Sequence, residues 1–502
     1  MSAPASFNPV PSLDRAAATT IAVARSIPKD AAAVGIPVGP KGVVPKTLGV
    51  DRATLTTLGF EGKVGQACPV PGGNGTTFVA VGIGSDADLA PTAMREAAAA
   101  FAKAAGKAGV LATSLADVKG VDPAAAAAAV VEGVLLSRYR YGVLKKESPL
   151  VPVTALTLVV GGGRSPAATE GARRGEAMAH AAELARDLAN TPPSHLTATR
   201  LAELAVQVGT ARGLEVDVFD ADALRDMGCG GLLGVNAGSA EPPRLIKLTY
   251  RPAGRPSGHL ALVVKGVMYD SGGISIKPSD PMHAVMKMDM SGSAAVLAAM
   301  SALPALGGTA TVTGYMVCTD NMPSGSAMKL GDVLHIRGGT TVEIHNTDAE
   351  GRLILADGLV LATEERPDAV VDIATLTGAC LVALGPAYAG VLGTSQPLID
   401  QVGKAAAVVD EPVWQLPLET ARYRKLLDSD VADVKNVGGP YGGAITAAVF
   451  LSEFVGDTPW AHIDMAGPMK SDTDDSWKPK GATGYGARLL AELAATFRPP
   501  RR

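Results

Sequence analysis

The run His259–Val264 (HLALVV) is apolar almost throughout, as a strand buried on both faces must be. Such a strand demands helices on both sides of its sheet, which confines the chain to a layered α/β architecture. Strand-like runs at Glu215–Phe219, Leu245–Tyr250, Thr309–Met316, Thr341–Ile344 and Ala369–Ile373 alternate with helical patterns over Thr197–Gly209, from near Ser293 and from near Leu353. The alternation predicts a mostly parallel central sheet covered by helices, with ligands bound beyond the carboxyl ends of its strands.

At 502 residues the chain exceeds one ordinary core. Short β-like runs (Ala32–Val38, Thr76–Ile83, Val153–Val160) alternate with Ala-rich helices at Thr92–Lys107 and Pro123–Tyr139, so residues 1–165 read as a small N-terminal α/β domain. Residues 166–195 read as a connecting helix and linker, because the helical spacing of Glu170–Asn190 stops hard at Thr191-Pro192-Pro193. Residues 196–502 make the larger C-terminal α/β domain. Glycines that follow strands, Gly82, Gly84 and Gly161–Gly163, fit no phosphate-loop pattern and read as turn residues. Aromatic residues are only 4% of the chain, so both cores must be built from Ala, Val and Leu.

Several classes of function are disfavoured. A net charge of −4 with dispersed Lys and Arg gives no electrostatic footprint for nucleic acid. Cys68, Cys229, Cys318 and Cys380 lie far apart and read as buried small hydrophobes in a reducing compartment. The opening MSAPASFNPVPSLDRAAATT lacks the basic start and apolar stretch of a secretory signal. The uncharged run Ile373–Ile399 is interrupted by Gly378, Gly385, Pro386, Gly390 and Gly393, and a spanning helix needs ~20 mainly apolar residues in sequence. The expectation is a soluble, cytoplasmic protein without a membrane partner.

Chemistry concentrates in two Gly-punctuated stretches, Leu262–Ala295 and His345–Leu353, which carry Lys265, Asp270, Lys277, Asp289, Asp348, Glu350 and Arg352. Each has a plain reading. Asp270-Ser271-Gly272-Gly273 is a turn, Asp289 an N-cap, and Lys265 a snorkelling residue at a strand end. In extended chain, Asp348, Glu350 and Arg352 point one way and make a surface ion-pair cluster. The apolar Leu353–Ala356 that follows argues for a semi-buried position, where carboxylates need metal or paired charge. Beside a divalent cation one lysine can serve as a neutral ligand while the other, protonated, polarises a carbonyl. Spacing alone does not bring these pieces together.

KGVMYDSGGISIK (Lys265–Lys277) and NTDAEGRL (Asn346–Leu353) resemble the two signatures of the M17 leucyl aminopeptidase family. Further similarity lies in ARDLANTPPSHL, NMPSGSA, ATLTGA, DVADVKNVGG and PWAHIDMAGP, across the C-terminal two-thirds of the chain, and is weaker over the first 165 residues. The resemblance implies that Lys265, Asp270, Asp289 and Glu350 hold one divalent metal ion, Mn²⁺ or Zn²⁺, and that Asp270, Asp348 and Glu350 hold a second. It implies that Lys277 binds the scissile carbonyl oxygen and that Arg352 holds a bicarbonate acting as general base. Met286, Thr375, Gly378, Ala466 and Met469, with Leu376 beside them, match positions lining the pocket for the first side chain. The implied activity is release of Leu and other apolar residues from peptides with a free N-terminus, by a homohexamer. The interval from Lys277 to Asp289 is one residue longer than the family's usual, which makes Asp280 a rival third carboxylate; the Asp-Met-x-Gly context favours Asp289. Two other readings compete. One is a DNA-binding accessory role on the same fold. The other is a two-metal phosphoesterase, which would want histidine ligands, and His283 and His345 match no ligand position.

Overall fold

The computed structural model describes residues 7–72, 75–147 and 151–500. They fall into two compact units: Met1–Pro9, Leu184–Lys470 and Ala482–Arg502 in the larger, Val10–Glu183 and Ser471–Gly481 in the smaller. The division lies within a single helix, Ser165–Asn190, that covers most of the expected connecting segment.

The smaller unit is built on six strands, β1 (Thr20–Ala24), β2 (Ala33–Val38), β3 (Ala67–Pro71), β4 (Thr77–Gly82), β5 (Val110–Thr113) and β6 (Ala155–Val159), in the order β1-β6-β5-β2-β4-β3. All pairings are parallel except that of β3 with β4. Helices Pro91–Ala104 and Pro123–Arg138 pack together, the second opened by Asp122, which accepts from Ala125 N. Both bury alanines (Ala97, Ala98, Ala126, Ala127), a buried Arg95–Glu132 ion pair of 2.9 Å joins them, and Gly133 lets them approach, since a Cβ there would meet Ala98 Cβ at 2.9 Å.

The larger unit contains β7 (Glu215–Phe219), β8 (Arg244–Tyr250), β9 (His259–Asp270), β10 (Thr311–Asn321), β11 (Val333–His335), β12 (Thr341–Glu343), β13 (Ala369–Ala374), β14 (Ala389–Gly393), β15 (Val413–Gln415), β16 (Val434–Lys435) and β17 (Trp460–Asp464). Eight of them form one sheet, ordered β15-β14-β17-β13-β9-β10-β8-β7. Its centre, β17-β13-β9-β10, is parallel, while β14 and β8 join it antiparallel. Strands β11, β12 and β16 make a small separate sheet.

Strand β9 is buried along nearly its whole length, with helix Ser291–Leu306 against it and helix Gly351–Glu364 also packed on it. Helix Ser291–Leu306 approaches the sheet closely because Gly292 carries no side chain: a Cβ there would meet Ile373 O at 2.6 Å. The segment Met286–Leu306 is long and apolar enough to cross a membrane by length and composition, yet 78% of its apolar 18-residue stretch is buried inside the fold. The uncharged run Ile373–Ile399 is no span either; it holds the end of β13, helix Gly378–Leu384, β14 and the start of helix Gln396–Val409.

Candidate active site

The parallel strands deliver their carboxyl ends to one place. β9 ends at Asp270, β10 at Asn321, β13 at Ala374 and β17 at Asp464, the position where open α/β sheets bind ligands. Strand β9 runs on through Lys265 to Asp270, so Lys265 lies inside the strand, 3% exposed, and is no snorkelling surface residue at its end. Pairing of β13 with β9 stops at Ile373 and Val264, which leaves room beside Lys265 for Thr375 and for Asp289 from the segment ahead of helix Ser291–Leu306.

Alternation along a strand would put Lys265 and Asp270, five positions apart, on opposite faces. A bulge reverses this. Between Val267 and Asp270 strand β9 advances three residues while β10 advances two, from Thr319 to Asn321. The extra residue re-aims the strand end, as bulges do, and Asp270 joins the cluster. Beyond it the chain turns at Gly272, whose φ is +87° and where a Cβ would meet Ser275 O at 2.5 Å.

The signature from Asn346 to Leu353 is a turn followed by the first turn of helix Gly351–Glu364, not extended chain. Asp348, Glu350 and Arg352 therefore do not share one face and meet separate partners. Lys277 Nζ lies 2.5 Å from Asp348 Oδ1 and 2.8 Å from Asp270 Oδ2. Lys265 Nζ lies 2.7 Å from Glu350 Oε1 and 2.9 Å from Asp289 Oδ2, and donates to Thr375 O at 3.1 Å. Arg352 donates from Nη1 to Asn436 O at 2.8 Å.

Carboxylate oxygens of Asp270, Asp289 and Glu350 lie within 4.8 Å of one another, all buried. Burial and the Asp270 charge push the Glu350 carboxyl up to about 8 against the pull of Lys265, and burial lifts Asp289 to about 7 against the same lysine. Burial would pull the ammonium of Lys265 down, but Asp289, Glu350 and Asp270 more than reverse that. Lys277 is likewise raised, its burial outweighed by Asp270, Glu350 and Asp348. Asp348 is raised by burial and by Asp270. The set holds more negative charge than two lysines neutralise comfortably, and Glu350 Oε2 is buried with no hydrogen-bond partner among the described residues. A hard divalent cation suits such oxygens. Burial draws the guanidinium of Arg352 down to about 10; its hydrogen bond goes to a neutral carbonyl and its Nε is buried without a partner among the described residues, which suits an anion.

A cleft of about 300 Å³ opens on this cluster. Met286, Thr375, Leu376, Gly378, Ala466 and Met469 all line it, together with Lys265, Asp270, Lys277, Asp289 and Asp348; Glu350 and Arg352 are not among its lining residues. Asp280 sits at the cleft's edge, exposed, and caps the short helix Pro281–Ala284 by accepting from Met282 N at 2.8 Å and His283 N at 3.0 Å. Asp289, not Asp280, stands with Asp270 and Glu350. His283 lines the cleft and stacks on Tyr269 at 5.8 Å, while His345 pairs with Glu343 away from the cluster.

Two amides escaped sequence reasoning. Asn321 bonds Asp270, and Asn436 binds the backbone on both sides of Asp348: it accepts from His345 N and donates to Asn346 O at 2.7 Å and to Ala349 O at 3.4 Å. Both stand inside quoted motifs, NMPSGSA and DVADVKNVGG, but an uncharged amide at no ligand spacing carries no signal by itself.

Comparison with known proteins places these features in company. A family model described as "Cytosol aminopeptidase family, catalytic domain" matches residues 183–491, and one described as "Cytosol aminopeptidase family, N-terminal domain" matches residues 49–148. A probable cytosol aminopeptidase of Streptomyces avermitilis is 41% identical over 503 residues, covering 94% of this chain and 97% of the relative. One of Chlorobaculum tepidum is 47% identical over 382 residues, 74% of this chain and 75% of the relative. Among solved structures, the bottromycin maturation enzyme BotP in complex with Mn superposes with a TM-score of 0.84 at 38% identity, over 93% of this chain and 99% of that one. A tomato leucine aminopeptidase variant superposes with a TM-score of 0.85 at 31% identity, over 95% and 96%.

Proposed function

The chain belongs to the cytosol aminopeptidase family and is an aminopeptidase, and we propose that it releases Leu and other apolar residues from peptides with a free N-terminus by means of two divalent metal ions. The observation that carries this is the convergence of three buried carboxylates, Asp270, Asp289 and Glu350, the first two lining a cleft that Met286, Leu376, Ala466 and Met469 also line. We assign one ion to Lys265, Asp270, Asp289 and Glu350 and the second to Asp270, Asp348 and Glu350. When bound, the pair supplies a Lewis acid for the scissile carbonyl and an acidified water. Mn²⁺ and Zn²⁺ are both compatible with the oxygen-rich set, and the BotP structure holds Mn. Catalysis belongs to residues 196–502, with residues 1–165 outside the site.

The protein's own groups divide the remaining work. Lys277 puts a protonated ammonium beside Asp270 and Asp348, where charge grows on the carbonyl oxygen. Lys265 must lose a proton to act as a ligand, so metal uptake is coupled to proton release. Arg352 would hold bicarbonate, whose chemistry there is that of a general base. Met286, Leu376, Ala466 and Met469 bury the first side chain, worth about 1.5–3 kcal/mol for a large aliphatic group. The completeness of the charged set favours catalysis over a DNA-binding accessory role. We further propose a cytoplasmic homohexamer, in keeping with the names of the relatives and the habit of the family.

The test is hydrolysis of leucine anilide before and after chelation. Activity should vanish with the chelator, return with Mn²⁺ or Zn²⁺, and be absent towards N-acetyl-leucine anilide. Full activity after Glu350→Ala would sink the assignment. Light scattering on the purified protein reads the oligomeric state.

A further inference from the structure

The pocket for the first side chain is not a single surface. Besides Met286, two backbone segments wall it, Thr375–Gly378 after β13 and Ala466–Met469 after β17. Both depend on one fully buried carboxylate. Asp464 Oδ1 accepts from Leu376 N at 3.2 Å, Thr377 N at 3.3 Å and Ala466 N at 3.3 Å, and Oδ2 accepts from the Thr377 hydroxyl at 2.6 Å. The Thr377 oxygen in turn accepts from Cys380 N at 3.0 Å, which caps helix Gly378–Leu384.

From the other side, the same stretch is tied to the metal-binding cluster. Thr375 donates to Asp289 Oδ1 at 2.6 Å and accepts from Lys265 through its backbone carbonyl. The stretch 375–377 is thus stretched between two buried carboxylates, Asp289 and Asp464. His462, two positions earlier on β17, shares the face of Asp464 and pairs with Asp372 at 2.6 Å. Neutral packing could fill the space of Asp464, but it could not satisfy three backbone N–H groups and a hydroxyl together.

We propose that Asp464 is a positioning residue for substrate selection: by fixing the spacing of the two segments that wall the pocket, it sets how large a first side chain is accepted. The inference rests on the assignment of that pocket to the first side chain. Asp464 does not line the cleft, so it acts only through Leu376, Thr377 and Ala466.

The experiment compares leucine and alanine p-nitroanilides with the full-length metal-loaded enzyme, in wild type, Asp464→Asn, Thr377→Val and Thr377→Ser. The valine variant removes the hydroxyl that donates to Asp464 at little change in volume, and so decides the matter even if Asp464→Asn does not fold. Discrimination between such side chains is worth tens-fold to a hundredfold in kcat/KM, and the Leu-to-Ala ratio should fall about fivefold in Asp464→Asn and Thr377→Val. The fall should be carried mainly by KM for leucine, with metal content at the wild-type level, and Thr377→Ser should restore the ratio. A ratio within about twofold of wild type in Thr377→Val, or one that falls only as metal is lost, overturns the inference. A wild type with no preference for leucine would overturn the pocket assignment itself and the inference with it.

Discussion

Asn321 donates one amide proton to Asp270 Oδ1 at 2.8 Å and the other to Thr347 O at 3.0 Å. A neutral side chain thereby locks the bend after β9 to the turn that precedes Glu350. Groups that orient ligands from behind typically matter by 10–100-fold in metal affinity. Asn321→Ala should weaken Mn²⁺ binding by about that factor in competition against a chelating dye. Unchanged affinity would show that the bulge alone positions Asp270.

Glu350 gives stability and function opposite signs. Its carboxyl is raised from 4.5 to about 8, so folding of the metal-free protein takes up a proton between those values. Stability without metal should therefore rise as pH falls from 8 towards 4.5. Glu350→Gln removes a charge that folding disfavours in spite of Lys265; in chelator at pH 8 it should be more stable than wild type while losing activity. Thermal melts across pH, with and without Mn²⁺, separate the two effects.

Lys277 lines the cleft with its charge held by Asp270 and Asp348, and the proposed function gives it the carbonyl oxygen. Lys277→Met keeps the stem and removes the ammonium. Loss of one oxyanion-stabilising donor costs about 10²–10³ in kcat, and that is the expected fall for leucine anilide. A change confined to KM would point to ground-state binding instead.

The smaller unit carries a pH response of its own. His180 lies 3.4 Å from Glu183 and 3.8 Å from Glu176. Burial pulls its imidazolium down, but the two carboxylates carry it from 6.5 to about 9. Its stabilisation is complete below 6.5 and disappears as pH rises through 9. Denaturant midpoints of wild type and His180→Gln should converge over that interval, the difference below it being about 1–3 kcal/mol. Parallel curves would assign His180 a role in packing alone.

Much of this was legible in the chain. The apolar run of β9 announced a strand buried on both faces, and the Asp-Met-x-Gly context singled out Asp289 over Asp280. What stayed hidden was geometry that no local pattern encodes. The bulge that turns Asp270 toward Lys265 shows only in the pairing of β9 with β10. The signature at Asp348 has the i, i+2 spacing of extended chain, yet helix Gly351–Glu364 starts within it and sends Asp348, Glu350 and Arg352 to different partners. Short strands with little alternation, such as Thr20–Ala24 and Val110–Thr113, and β14 with the edge strand β15 depend on their neighbours for identity.

The buried helix Ser291–Leu306 has a further consequence in the nascent chain. Its folded cover includes helix Ala487–Thr496, which is synthesised far downstream. Until that helix emerges, a segment apolar enough to suit a bilayer waits without its full cover, open to chaperones and to self-association. Yield in the cell should therefore respond more steeply to changes in the closing helix than the stability of the finished protein does, because translation order sets how long the segment must wait.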